Sequence, residues 1–240
     1  MQNKITQAII LSAGFGTRLR PITDNIPKVM VPILKKPLLE WHIEQFKKYG
    51  VEEIFINLHY LPEVIRNYFG DGSRWGVKII YRFEKEILGT AGGVKDFEEY
   101  LKENFFVIYG DIFSLVDYSR MSESFFRKEN PIGMELVGDT DHPNDSDLVA
   151  VDKNLRFIKL YPKPHDSIPE KYKSMRGVYI LSRGVLESIP SAAYCEIDHD
   201  LLPRLLRGNF NFYGYECEDY LKDIGTMERY DTVQEHLKNK

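Results

Sequence analysis

"AIILSAGFGTRLRPITDNIPKVMVPI", residues 8–33, is the stretch whose reading decides the fold. A short apolar run, Ala8 to Leu11, ends in Ser12-Ala13 and passes into Gly14-Phe15-Gly16, with Arg18, Arg20 and Lys28 close behind. An apolar run of that length, stopped by small residues, has the form of a buried parallel strand. The glycines after it let backbone N–H groups approach an anion with no Cβ in the way. A guanidinium meets phosphate oxygens through paired hydrogen bonds, and a lysine adds a mobile point charge. The loop lacks the Gly-Lys-Ser/Thr ending of a P-loop, and Leu19 stands where a dinucleotide fingerprint has its third glycine. The phosphate expected here is therefore held in another way.

Outward from this loop, the first half alternates strand and helix. "PLLEWHIEQFKKYG" repeats its apolar residues at helical spacing from Pro37 and stops at Gly50; His42 falls on the apolar side and reads as core. "EEIFINL", "VKIIYRF" and "FFVIYGD" read as strands, "PEVIRNYFG" and "VKDFEEYL" as helices, and Asp71-Gly72 as a turn. This order predicts a mainly parallel sheet with right-handed crossovers. In the second half "PIGMELVG", "LVAVD", "RFIKLY", "GVYILS" and "FNFYGY" read as strands at hairpin distances, and "DHDLLPRLLRG" and "TMERYDTVQEHLKNK" as helices. A net charge of −4 over 240 residues argues against a nucleic-acid surface, so an anionic ligand must be met by local charge. No segment is apolar enough to span a bilayer or serve as a leader, and two cysteines make no disulfide framework. These features predict a cytoplasmic protein with no nucleic-acid or membrane partner; a homodimer is compatible with them.

Gly14-Phe15-Gly16-Thr17-Arg18-Leu19-Arg20-Pro21, with Thr23, Pro27-Lys28 and Pro32-Ile33, resembles the signature of the sugar-1-phosphate nucleotidyltransferases. That signature runs G-x-G-T-R-L-x-P-x-T and then P-K. "LGTAGG" at 88–93, "YGD" at 109–111 and "KDIGTMERY" at 222–230 extend the resemblance along nearly the whole chain. It implies a Rossmann-like three-layer α/β/α fold with a mixed, mainly parallel sheet, the nucleotide-diphospho-sugar transferase fold. One catalytic domain over 1–240 is expected, with a nucleotide-binding half of about 1–115 and a sugar- and metal-binding half of about 116–240. The implied reaction joins a nucleoside triphosphate to a sugar 1-phosphate and releases pyrophosphate.

The attacking phosphate is already ionised at neutral pH, so such chemistry needs positioning and charge stabilisation rather than a general base. By the resemblance Arg18 holds the β- and γ-phosphates, Lys28 neutralises the α-phosphate, and Asp111, at the end of "FFVIYGD", completes the catalytic set. Asp111 and Asp223 match the family's acids for Mg²⁺, a hard cation that takes one or two carboxylates with phosphate oxygens and water. Leu11, Ser12, Ala13, Gly14, Gly16 and Thr17 are expected to line the nucleotide. Gly89, Thr90 and Gly93 are expected at the base and ribose, and Glu84 either accepts from a guanine or is an exposed strand residue. Lys163, Gly177 and Glu196 are expected at the sugar phosphate.

The acceptor side departs from the pattern. In "YPKPH", Pro162 replaces the glutamate that often precedes the Lys-Pro pair, and Met175 replaces an asparagine. "GTAGG" and "DIGTMERY" look most like the guanylyl-transferring members acting on mannose or manno-heptose 1-phosphate. Thymidylyl-, uridylyl- and cytidylyl-transferring relatives stay open, as does a non-catalytic nucleotide-sugar sensor on the same fold.

Overall fold

The computed structural model describes residues 4–239. Residues 1–3, part of the stretch read above as carrying no leader, and residue 240, the end of the last expected helix, lie outside the described residues. In chain order the elements are β1 (Gln7–Leu11), β2 (Pro32–Ile33), β3 (Lys36–Pro37), α1 (Leu38–Lys48), β4 (Glu53–Leu58), α2 (Pro62–Phe69) and β5 (Lys78–Phe83). Then come α3 (Gly89–Lys95), β6 (Asn104–Tyr109), β7 (Ile112–Ser114), α4 (Tyr118–Phe126), β8 (Pro131–Gly138), β9 (Leu148–Val151) and β10 (Phe157–Tyr161). The chain closes with β11 (Lys173–Ser182), α5 (Leu202–Arg207), β12 (Asn211–Tyr215), β13 (Leu221–Asp223) and α6 (Met227–Lys238).

The residues form two compact units, 5–87 with 108–118 and 219–239, and 88–107 with 119–218. In the first, β1, β4 and β5 run parallel, in register from Gln7↔Glu53↔Lys78 to Leu11↔Asn57↔Arg82. Their carboxyl ends are level, so Ser12, Asn57 and Glu84 line up across three strand ends. A core of Leu19, Val31, Ile33, Leu38, Phe113, Ile224 and Val233 lies below the glycine loop. It includes the last two elements because β13 pairs antiparallel with β7, Asp223 opposite Ile112. Short strands such as these carry too little periodicity to be read from sequence.

In the second unit β11 pairs antiparallel with β8 and β9, β9 antiparallel with β10, and β12 runs parallel to β8. A register shift between Met175 and Tyr179 accompanies Gly177 at φ +65°. One expected helix is corrected. "VKDFEEYL" is not one α-helix: α3 begins inside "LGTAGG" and ends at Lys95, and Glu98–Tyr100 form a separate 3-10 turn. Ala91 and Gly92 donate their N–H groups to the carbonyl of Cys195, so tertiary contacts hold a glycine-rich turn that propensity alone disfavours.

Candidate functional site

The loop is shaped by its own consensus residues. Gly16 sits at φ +65°, and a Cβ there would stand 2.9 Å from Lys28 Cβ and 3.2 Å from Thr23 Cγ2. Thr23 donates its hydroxyl to the Gly16 carbonyl at 2.8 Å. The loop thus folds over Lys28, and Gly16 is required by both its dihedral and its close neighbour. Gly14 has open space around it, with no atom within 4 Å of a Cβ position.

Charge gathers beside this loop. Lys28 Nζ lies 2.6 Å from Asp111 Oδ2, with the two side chains 12% and 30% exposed. Ile224 donates its N–H to the Asp111 carbonyl at 2.8 Å, which sets Asp223 next to Asp111 through the β7–β13 ladder. Arg229, on the first turn of α6, contacts both Asp223 oxygens, at 2.8 and 3.1 Å, and the Gly225 N–H adds a third bond at 3.0 Å. A Cβ on Gly225 would meet Asp223 Oδ1 at 2.6 Å and Arg18 Nη2 at 3.5 Å, so the Arg18 guanidinium reaches the same place. Burial works to raise the Asp223 carboxyl, but the Arg229 hydrogen bond and charge, the Gly225 N–H and the Lys28 charge outweigh it and hold it below the usual range. Arg18, Lys28, Asp111 and Asp223, separated by up to 205 positions in sequence (223 − 18), stand together in one unit.

His42 supports the turn that carries Asp111. Its Nε2 lies 3.3 Å from the Gly110 carbonyl, which accepts the ring N–H. Burial lowers the imidazole from 6.5 to about 4, against the Gly110 hydrogen bond and the Asp111 charge, which act to raise it. The folded value lies below the unfolded one, so the stability present above pH 6.5 is lost as pH falls through about 4. We expect urea unfolding to show about 3 kcal/mol less stability from this group at pH 4 than at pH 7. His42→Gln removes that increment; an unchanged pH slope in the variant contradicts the assignment.

Several residues expected at the nucleotide have partners within the protein. The Ser12 N–H donates to Asn57 Oδ1 at 2.6 Å, and Asn57 Nδ2 donates to Glu84 Oε1 at 2.7 Å. Glu84 is therefore not an exposed strand residue. It is buried, and a buried carboxylate needs such partners. Asn57, missed from sequence, is the link that ties the loop to the strand ends; its one signal was an amide in an apolar run. Leu11 ends β1 and accepts from the Gly110 N–H at 2.9 Å. Ala13 is buried, while Gly14, Thr17 and Arg18 are exposed.

The second unit shows the same pattern. Thr90 donates its hydroxyl to Glu196 Oε2 at 2.6 Å and its N–H to the same oxygen at 3.3 Å, while accepting the Ile197 N–H at 2.7 Å. Tyr194 donates its hydroxyl to Glu196 Oε1. Glu196 thus caps the start of α3, and Thr90 is engaged with it. Gly89, at φ +75°, would place a Cβ 2.6 Å from the Cys195 carbonyl oxygen, so the protein backbone itself requires glycine there. Gly93 is buried within α3. Gly177 donates its N–H to Glu135 Oε1 at 3.1 Å, as does Arg176. Burial, then the Asp198 charge, pushes the Glu135 carboxyl well above the usual range. Lys163 is exposed and donates its Nζ to the Asp145 carbonyl at 3.1 Å.

Among the described residues no three His, Cys, Asp or Glu side chains stand in a metal-holding group, and no helix is long and apolar enough to cross a membrane. Cys195 and Cys217 form no disulfide.

Comparison with known proteins agrees with the geometry. Residues 7–240 match the family model described as nucleotidyl transferase. The chain is 45% identical over 227 residues to D-glycero-alpha-D-manno-heptose 1-phosphate guanylyltransferase of Campylobacter jejuni, covering 93% of this chain and 96% of that one. It is 33% identical over 239 residues to a UTP--glucose-1-phosphate uridylyltransferase of Synechocystis sp., covering 93% of this chain; it spans only 61% of that relative's length. Among solved structures, HddC from Yersinia pseudotuberculosis complexed with GMP-PN matches at a TM-score of 0.76 and 26% identity, covering 97% of this chain and 100% of that one. The fold is thus the expected one, a mixed, mainly parallel central sheet with flanking helices.

Proposed function

Because the chain belongs to the nucleotidyl transferase family, we propose that it transfers a nucleotidyl group from a nucleoside triphosphate to a sugar 1-phosphate. The pair we assign is guanosine triphosphate with a mannose or manno-heptose 1-phosphate. One observation carries the reading: the Lys28–Asp111 pair stands beside Asp223 and Arg18, next to a glycine loop at the carboxyl ends of parallel strands. Open α/β sheets bind their ligands at that edge.

In the reaction a sugar-phosphate oxygen attacks the α-phosphorus, the bond to the β-phosphate oxygen breaks, and charge moves onto the departing pyrophosphate. The attacking oxygen carries no proton, so the residues have charge to manage rather than protons. Lys28, held near both acids, exchanges Asp111 for an α-phosphate oxygen as the triphosphate enters. The Arg18 guanidinium takes the β- and γ-phosphates and stabilises the leaving group. Exposed Gly14 and Thr17 leave the loop backbone open to the triphosphate.

The donor set fits Mg²⁺. Two carboxylates, one on the turn before β7 and one at the end of β13, with the rest of the shell left to phosphate and water, are the usual provision for that ion. Asp111 and Asp223 would hold it, and when bound it supplies Lewis-acid neutralisation of the phosphate charge. Arg229 orients Asp223 for this role through both of its oxygens.

The guanylyl assignment is supported by the 45% identity to a heptose 1-phosphate guanylyltransferase over nearly its full length. The 33% identity to a uridylyltransferase favours the second reading, uridine triphosphate with a hexose 1-phosphate. Pyrophosphate release, measured with Mg²⁺ across four triphosphates and a set of sugar 1-phosphates, separates the two. We expect the highest kcat/KM with the guanosine and manno-configured pair. A uridine pair that is faster reassigns the base, and no release from any pair overturns the activity.

A further inference from the structure

Gly14 and Gly16 offer no side chain, so between Ala13 and Thr17 only Phe15 can fasten the tip of the loop through a side chain. Phe15 is 48% exposed, and its ring meets two others. It stands edge-on to His59, with centroids 5.1 Å apart and planes at 90°, and tilted at 57° to Tyr60, 6.0 Å away. Both partners lie in "NLHY", residues 57–60, which closes β4 and leads to α2. That segment is itself fixed. His59 donates its Nδ1–H to the Glu84 carbonyl at 2.8 Å, which sets the imidazole against the chain just past β5. The Tyr60 hydroxyl lies 2.9 Å from the Asp24 carbonyl and 3.1 Å from the Thr23 carbonyl, and Thr23 in turn bonds the Gly16 carbonyl. With the Ser12 N–H on Asn57 Oδ1, the loop is tied to one short segment at its start, its tip and its far end. All of these residues belong to the first unit.

We propose that Phe15, through its ring contacts with His59 and Tyr60, holds the loop backbone in the conformation that receives the triphosphate. The inference rests on the transferase reading above. Glycine loses more conformational freedom on ordering than any other residue, and a loop with two of them at its tip is otherwise ordered at the expense of ligand binding. An aromatic pair contributes beyond the apolar area it buries, and an edge-to-face contact holds an angle as well as a distance. Phe15 itself offers a phosphate no donor and no charge, so its effect on the nucleotide passes through the N–H groups of its neighbours. It is therefore a positioning residue. A side chain half open to solvent adds little to the core, which leaves the loop as what the ring contact acts on.

The test reads steady-state kinetics with the reactive pair from the pyrophosphate assay, and amide hydrogen exchange of residues 14–17 in the unliganded protein. Phe15→Ala, Phe15→Tyr and His59→Leu are compared with the parent. We expect Phe15→Ala to raise the triphosphate KM by about 3- to 10-fold, the range of one aromatic pair, with kcat and the acceptor KM unchanged. Exchange of the loop amides should quicken by a similar factor. Phe15→Tyr keeps the ring and should restore the parent's values. The double variant Phe15→Ala, His59→Leu should be no weaker than the worse single one, because both substitutions remove the same contact. A purely structural role would instead lower Tm and shift all three kinetic constants together, and that result overturns the inference. So does an unchanged triphosphate KM or unchanged loop exchange in Phe15→Ala. A parent protein that turns over no pair overturns the transferase reading, while the exchange comparison, which needs no turnover, still shows whether Phe15 holds the loop.

Discussion

Lys28→Ala is expected to lower kcat for pyrophosphate release by about 10²- to 10³-fold, the loss typical when one preorganised charge stabiliser is removed. Lys28 is a nearly buried ammonium, 2.6 Å from Asp111 and near enough to Asp223 to help hold its carboxyl low. Without it, two carboxylates face an incoming polyphosphate with less compensating charge. At about 4 Å and an effective dielectric of about 20, each such pair is worth about 4 kcal/mol before desolvation is set against it. Lys28→Arg should recover only part of the rate, since a planar fork does not take the place of a compact ammonium beside Asp111. Asp111→Asn is expected to give a comparable loss through a different route, leaving Lys28 without its charged partner and the proposed Mg²⁺ site with one carboxylate fewer. Stopped-flow or coupled pyrophosphate assays on both variants, with circular dichroism to verify folding, decide the matter. Activity within threefold of the parent in both would remove these residues from the catalytic set.

Gly110→Ala is expected to damage stability and activity together. A Cβ there would lie 2.5 Å from the Leu11 carbonyl oxygen, 2.6 Å from Val29 Cγ1 and 3.2 Å from Ser12 Oγ. The carbonyl is rigid, because Leu11 lies in β1 and already accepts the Gly110 N–H. Overpacking against atoms that cannot yield costs about 3 kcal/mol, near the upper end of the usual range. For a chain of this size that corresponds to a fall in Tm of about 6–12 °C. Gly110 precedes Asp111 and its Cβ would press on the neighbour of Lys28, so the shift falls on the charged pair as well. Gly14→Ala is the matched control. With open space at its Cβ position, it should leave Tm unchanged, and any loss of activity should show in the triphosphate KM. Equal melting of Gly110→Ala and the parent in a calorimeter would rule out the packing argument.

The parallel half of the molecule was readable because its signals are local. β1, α1, β4, α2 and β5 each carry a buried run or an amphipathic repeat bounded by glycine or proline, and each lies where its pattern puts it. The α3 segment was not readable. Its glycines disfavour a helix in isolation, and only the Cys195 carbonyl and the Glu196 cap, more than a hundred residues later, hold it in place.

The glycine loop, its cations and the two acids are consensus residues, and the chain by itself therefore determined the family. Residue type and spacing also determined most of the strands and helices, through short-range periodicity. Tertiary structure alone decided which polar groups face outward. It turned Glu84, Thr90, Gly177 and Glu196 toward partners within the protein. The reason is that hydrogen bonding of a buried or sheltered group is settled by whichever partner the packing delivers, at any distance along the chain.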